Sequence, residues 1–344
     1  MHFGNIDKIY AGTDSVSKVF LGTDLIWPYT PPVPPTPVSG DYLTFEILTG
    51  GTINWETENS TATTRTISYS LNGGAWTDIT SSFSGTSLNV SSGDRILFKG
   101  TRRDYYESSF SGSTAFFNIT GNIMSLLYGD EYEGKESLPA GSLTFVRLFS
   151  GTKAVNAQYL ELPATTLSSG CYIEMFLNCT ELISAPALPA TSLKQACYQR
   201  MFKGCSSLTT APALPATSMV SDSEYYGMFH GCSSLTAAPA LPATTLTPYC
   251  YANMFVGCSS LTAAPELPAL TLREGCYSGM FRYCTNLNYI KCLAVNFTSA
   301  QVVSGTHYWV TNVSANGTFV KAASATWETG DSGIPSGWTI IDNQ

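Results

Sequence analysis

The chain has 344 residues, 44% of them apolar, with 17 Lys and Arg against 25 Asp and Glu for a formal net charge of −8. That length leaves room for two or three domains with packed cores, while the acidic balance argues against a phosphate-binding surface, so no nucleic-acid partner is expected. No run of 18 apolar residues exists to span a membrane, and residues 1–5 lack the basic start of a secretory signal, so no membrane insertion is expected and the chain should be made in the cytoplasm.

Residues 1–27 carry a small duplicated phrase: Lys8-Ile9-Tyr10-Ala11-Gly12-Thr13-Asp14 is echoed by Lys18-Val19-Phe20-Leu21-Gly22-Thr23-Asp24. Short β-branched and aromatic runs broken by Gly-Thr-Asp predict two or three strands joined by turns. So few strands are marginal alone. The segment is therefore expected to be an attachment module that adds to a partner through Ile9, Tyr10, Val19, Phe20 and Trp27. Residues 28–39 follow as a proline-rich spacer of polyproline II type, which marks a domain boundary.

Across 40–129 the pattern becomes alternating, with strands expected at 42–48, 65–71, 75–79, 95–99 and 115–119 and turn signals at Asn72-Gly73-Gly74 and Ser92-Gly93-Asp94. That spacing predicts a small β-sandwich. The stretch from Ser70 to Trp76 loosely resembles the Asp-box hairpin of sialidases, without its carboxylate, and reads as a plain hairpin. The acidic group Asp130, Glu131 and Glu133 lacks the loop spacing of a calcium site and reads as a solvated connector.

From 130 to 294 one phrase dominates. Leu-Pro-Ala starts at 162, 188, 214, 241 and 267, and Met-Phe at 175, 201, 228, 254 and 280, a period of 26 with one inserted residue near Asp222. Five repeats at 162–292 follow a degraded first copy at 138–161, and a fixed period of this size predicts a solenoid whose units bury their apolar faces against one another. Within one repeat, Thr191 or Ser192 is positioned to cap a helix with the stripe Leu193, Cys197 and Met201, ended at Gly204. A short parallel strand at 208–211 should then stop at Pro212, because proline removes a ladder donor. Pairing is thus expected over three or four residues per repeat.

Nine of the ten cysteines occupy repeat positions. Two thiols eight residues apart on a helix span about 12 Å, and neighbouring helices stand about 8–10 Å apart, both beyond the reach of a disulfide. Buried free thiols are expected, without zinc, since no Cys-x-x-Cys pair or Cys/His cluster is present. Residues 295–344 read as a β-rich closing cap in which Phe319, Trp327 and Trp338 cover the open end. Gly330-Asp331-Ser332-Gly333 copies the nucleophile stretch of trypsin-like proteases, but only His2, His230 and His307 exist to serve it and no two-barrel layout accompanies it. The Leu-Pro-Ala-Thr phrase is internal and lacks the glycine and apolar tail of a sortase signal. No paired carboxylates or metal cluster stand out, so no enzyme activity and no cofactor are expected.

The repeat resembles the BspA-like, or Treponema pallidum-type, leucine-rich repeat, whose Phe, Cys, Leu and Pro positions are matched by Phe202, Cys205, Leu208 and Pro215. It is longer than that family's usual unit and carries an extra Ala-Pro. The wider arrangement is similar to proteins encoded by gut Bacteroidales and their crAss-like and related phages, through the duplicated N-terminal phrase, the stretch from Gly121 to Asp130, and Gly333-Ile334-Pro335-Ser336-Gly337-Trp338. The resemblance implies surface binding and supplies no catalytic residue.

The fold expected is therefore mainly β with short helices: a β-hairpin module, a β-sandwich, a leucine-rich-repeat solenoid and a β-rich cap. The function expected is that of a phage virion protein, a fibre or tail- or capsid-associated adhesin docked to a virion structural protein, with a host cell-surface protein or glycan as ligand and a homo-oligomer, such as a trimer, as its state. The alternative is a bacterial surface or scaffold adhesin. Variation between repeats falls on the predicted helix and its turns, which nominates Glu174, Gln199, Arg200, Tyr225, Asn253, Arg282 and Tyr283 as ligand-binding residues.

Overall fold

The computed structural model describes the backbone of residues 9–11, 14–16, 19–21 and 24–27, and the full residues 41–141, 143–295 and 304–343. The chain separates into two units, Met1–Val38 and Ser39–Gln344. The architecture is mainly β, in several sheets of which none is closed.

In the first unit, β1 (Ile9–Ala11) pairs antiparallel with β2 (Asp14–Val16), and β3 (Val19–Leu21) with β4 (Asp24–Trp27). The duplicated phrase thus makes two hairpins, and the five nominated attachment residues all lie on their strands. The expected spacer at 28–39 lies outside the described residues.

The second unit opens with β5 (Leu43–Ile47), β6 (Gly51–Thr57), β7 (Thr66–Leu71), β8 (Thr77–Thr80), β9 (Thr86–Val90), β10 (Arg95–Lys99), β11 (Ser108–Ser109) and β12 (Phe117–Asn122). A one-turn helix α1 (Ser125–Tyr128) and then β13 (Ala154–Glu161) follow. One sheet runs β13-β12-β5-β10-β7-β8 and a second runs β11-β6-β9. They share an aromatic core: Phe45 packs against Phe98, Phe110 and Phe117, while Trp55 of β6 meets Phe110 and Tyr105. The second sheet has no counterpart among the expected strands. Its polar sequences, such as Thr86-Ser87-Leu88-Asn89-Val90, hide a strand that presents few apolar residues.

The turn at Leu71-Asn72-Gly73-Gly74 has positive φ at Asn72 (52°) and Gly73 (75°) and closes with the Gly74 amide on the Leu71 carbonyl (2.9 Å). This is the type I′ hairpin that Asn-Gly favours, joining β7 to β8. Asp130 is tied to Lys99 (2.7 Å) and to the Tyr42 hydroxyl (2.8 Å). Its carboxyl is held below the ordinary range by the Lys99 and Tyr42 hydrogen bonds.

The expected helix is absent from every repeat: residues 170–179 and their equivalents are successive turns. Alternate amides close four-residue turns, as Met175 N–H does on the Tyr172 carbonyl (3.3 Å) and Cys179 N–H on Phe176 (3.1 Å). The amides between them cross to the next repeat: Tyr172 to Cys197 O (3.0 Å), Glu174 to Gln199 O (2.9 Å), Phe176 to Met201 O (2.8 Å) and Asn178 to Lys203 O (2.7 Å). The backbone is satisfied without a helix, half of it locally and half by the neighbouring repeat. Every fourth residue has positive φ, as in Gly170, Glu174 and Asn178 or Gly227 and Gly231. At the third place of such a turn glycine or asparagine is favoured. The apolar pairs accordingly recur every four residues, Cys171-Tyr172 and then Met175-Phe176, all buried. Over nine residues that period is nearly indistinguishable from a helical 3.6.

The expected strand at 208–211 shrinks to single parallel bridges, Asn156 with Ser184, Ser184 with Thr210 and Thr210 with Ala237. Full strands return only where the Ala-Pro is missing, at β13 and at β14 (Tyr289–Cys292). Proline two residues past the bridge sets that limit, more severely than the three or four residues expected. From β14 the ladder continues in parallel through β15 (Thr318–Ala322) to β16 (Thr339–Asn343). At the other end β13 pairs in parallel with β12, so hydrogen bonding runs through the expected boundary at 129–130.

Two aromatic columns fill the stack. Tyr172, Tyr198, Tyr225 and Tyr251 stack at 5.7 Å, and Phe202, Phe229, Phe255 and Phe281 at 5.7–5.8 Å. Both converge on Trp309, 6.2 Å from Tyr277 and 6.1 Å from Phe281. Trp327 stacks on its far side (5.8 Å) with Phe319 against both. Trp309, which the sequence reading passes over, is thus the centre of the cap. Its indole donates to Gly333 O (2.8 Å), and Ser332 Oγ accepts the Tyr308 amide (3.0 Å). The protease-like tetrapeptide is a clamp on residues 306–310.

All ten cysteines are free and buried. The distance argument for this needs correction, because hydrogen-bonded repeats lie closer than packed helices. One thiol column instead has partners: Cys179 donates to Phe149 O (2.9 Å), Cys205 to Phe176 O (3.0 Å), Cys258 to Phe229 O (3.1 Å) and Cys284 to Phe255 O (2.9 Å). Burial pushes Cys179 up to about 11 and Cys284 up to about 12, away from the reactive thiolate.

Candidate functional site

The turns leave a face of the stack where side chains from successive repeats stand in columns. Residues at positive φ project outward there, since the buried positions precede or follow them. One column reads Arg147, Glu174, Arg200, Gly227, Asn253 and Gly279. Arg147 Nε donates to Glu174 Oε2 (2.6 Å) and Arg200 Nη1 to Glu174 Oε1 (3.3 Å). Arg147 also reaches Glu58 at the end of β6 (3.0 Å), which ties the first repeat to the preceding sheet.

Three of the nominated residues are therefore partners rather than free contacts. Glu174 is 8% exposed at its side chain and serves as the bridge between two arginines. Asn253 donates to the Tyr226 hydroxyl (3.1 Å), and the Arg200 guanidinium lies 5.3 Å from the centre of the same ring. Gly227 and Gly279 make room here, because a Cβ at Gly279 would collide with Asn253 Oδ1. Tyr225 is a correction: it is 1% exposed and belongs to the tyrosine column, because the residue after the Cys or Glu position faces inward. Gln199 is half-buried beside Arg200. Arg282 and Tyr283 are exposed at the last repeat and pair with each other, guanidinium to hydroxyl at 3.2 Å.

The next column holds Lys203, His230, Val256 and Arg282. Burial first, and then the charges of Lys203, Arg200 and Arg282, push the His230 imidazole below its ordinary value. A chain of net charge −8 thus carries a basic stripe on its turn face. Since the folded state lowers the His230 pKa, unfolding takes up protons at acid pH and stability falls as pH drops through the unfolded value of about 6.5. In urea titrations between neutral pH and pH about 5, His230→Gln should flatten that fall; an unchanged slope would remove His230 from the stripe.

At the start of the stripe, Glu56, Glu58, Ser109, Ser111, Arg147, Ser150 and Leu177 line a cleft of about 380 Å³. Burial raises the Glu56 carboxyl, against a hydrogen bond from Ser111 that lowers it.

Glu224 is the buried charge that the sequence reading missed. It stands where other repeats have Cys171, Cys197, Cys250 and Cys276, and is 0% exposed. Its carboxylate accepts the amides of Val220 (2.9 Å) and Ser221 (2.6 Å), and the Thr247 hydroxyl, whose nearer acceptor is the Ser221 carbonyl, lies 3.1 Å away. The inserted residue near Asp222 is accommodated by this loop. The signal was the replacement of a column cysteine in the one repeat of length 27.

Among the described residues no group of three His, Cys, Asp or Glu is placed to hold a metal ion, and no helix is long and apolar enough to cross a membrane. Comparison with protein-family models, with curated proteins and with solved structures gives no match.

Proposed function

We propose that the chain is a non-enzymatic binding protein displayed on a phage virion, docked through its N-terminal hairpins and meeting a host surface ligand with the turn face of a BspA-like leucine-rich-repeat solenoid. In this reading residues 40–129 form a β-sandwich that carries the solenoid, and residues 295–344 close it. The observation that supports it is the basic stripe of Arg200, Lys203 and Arg282 around His230, flanked by Tyr226 and Tyr283, on a chain that is acidic overall. Cations interleaved with aromatic rings suit an acidic surface glycan or protein, through charge-assisted hydrogen bonds and ring stacking. Long-range attraction to such a ligand weakens with salt.

The test is binding of purified protein to intact host cells. Arg200→Ser, Lys203→Ser and Arg282→Ser together are expected to weaken binding about tenfold or more at low salt, in line with about 1.4 kcal/mol per tenfold. Binding that is indifferent both to these changes and to salt would sink the turn face as the site. Particles lacking the protein by mass spectrometry, with the chain found instead on uninfected cells, would move the reading to a bacterial surface adhesin.

A further inference from the structure

The parallel ladder that runs through the repeats ends on β16, and no strand pairs with the outer edge of β16 among the described residues. β16 pairs with β15 over five residues, Thr318 with Thr339 through Ala322 with Asn343, without a bulge. It contains no proline or lysine to blunt it. Ile340 and Ile341 are 46% and 48% exposed, so apolar side chains stand in solvent on both faces of the strand. Such an edge is a template for another strand.

The register says which strand fits. The Thr339 amide donates inward to Gly317 O (2.8 Å), so by alternation Thr339, Ile341 and Asn343 spend their backbone groups on β15. Ile340 and Asp342 turn both N–H and C=O outward. We propose that β16 pairs antiparallel with β16 of a second copy about a two-fold axis at Ile341. Ile340 then lies opposite Asp342 of the second copy and the reverse, and each pair exchanges two backbone bonds, which uses every outward group. The two Ile341 side chains meet at the closely spaced position between them. Asp342 keeps its own Lys321 (2.5 Å) and faces isoleucine rather than a second carboxylate. A second copy added in parallel would have to slip by one residue, because residues that bond outward then lie opposite residues that bond inward, as Thr318 and Thr339 do, and a two-fold axis cannot relate strands so slipped. The antiparallel pair also closes, leaving neither copy with an open β16 edge, whereas a head-to-tail addition would not.

The full chain should sediment as a concentration-dependent dimer. Ile341→Lys places two ammonium groups opposite each other and should weaken self-association about tenfold or more, with unchanged circular dichroism because the side chain is half in solvent. Mixing Ile341→Lys with Ile341→Glu should restore a mixed dimer. Ile341→Cys should cross-link under mild oxidation, since residues at that position sit about 4.5 Å apart by Cα, within the disulfide range of about 4.4–6.8 Å; the ten native thiols are buried. A chain that stays monomeric throughout, or a dimer that neither responds to Ile341→Lys nor cross-links through Ile341→Cys, overturns the proposal, including the case where β16 serves a different protein's strand.

Discussion

Phe229→Ala is expected to destabilise the second unit by about 3–5 kcal/mol, the usual cost of emptying a buried aromatic site. Phe229 is 0% exposed and stacked at 5.8 Å on Phe202 and 5.7 Å on Phe255, so the void opens in the middle of a column that cannot collapse from either side. In a stack where each repeat touches only its neighbours, stability is close to a sum of unit and interface terms. Weakening one interface should therefore change the shape of unfolding as well as its midpoint. Guanidinium titration followed by hydrogen exchange should show the repeats after Phe229 opening before those nearer β13, which are anchored to the six-stranded sheet. A single cooperative loss, equal across the stack, would show that coupling does not pass through the phenylalanine column.

Glu224→Ala is expected to cost about 2–4 kcal/mol, because hydrogen bonds to an ionised group are each worth about 1.5–3 kcal/mol and two loop amides converge on this buried side chain. The amides of Val220 and Ser221 lose their acceptor, while the Thr247 hydroxyl keeps the Ser221 carbonyl. Glu224→Gln keeps an acceptor oxygen and should cost less than Glu224→Ala. The loss should be local, with exchange at 219–225 rising first. Equal stability of Glu224→Ala and the parent would show that the loop amides are satisfied by solvent and that the carboxylate is not what holds the inserted residue.

Several features of this molecule were legible before any coordinates. The period of 26, the register of its Met-Phe pairs and the odd repeat near Asp222 were plain in the chain, and the structure places those residues in equivalent positions. The Asn72-Gly73 turn and the buried, unpaired thiols also followed from residue chemistry. The helix did not, and the reason is specific. Cys197, Met201 and Cys205 satisfy an i, i+4 template as well as a turn period of four does, and only the recurring glycines, Gly227 with Gly231 and Gly275 with Gly279, separate the two. A helix would gain nothing from glycine four residues apart; a residue at positive φ does.

The nominated surface divides along the same line. Variation between repeats correctly drew attention to the turns, but variation does not tell a residue that faces solvent from one that fits a unique neighbour. Tyr225 does not vary at all: it matches Tyr172, Tyr198, Tyr251 and Tyr277 and is core, its register hidden by the inserted residue and by Glu224 in place of a cysteine; Glu174 varies because Arg147 and Arg200 surround it.

Local chemistry thus settled the composition of each repeat and the limit that proline places on pairing, because these depend on groups within a few residues of one another, whereas the inertness of the cysteines comes from burial between repeats. The direction in which half the backbone amides point, the meeting of both aromatic columns on Trp309, the basic stripe assembled from separate repeats and the open edge of β16 all required the stacked chain. Each depends on contacts about 26 residues apart or more, and such contacts exist only once one repeat has been laid against the next.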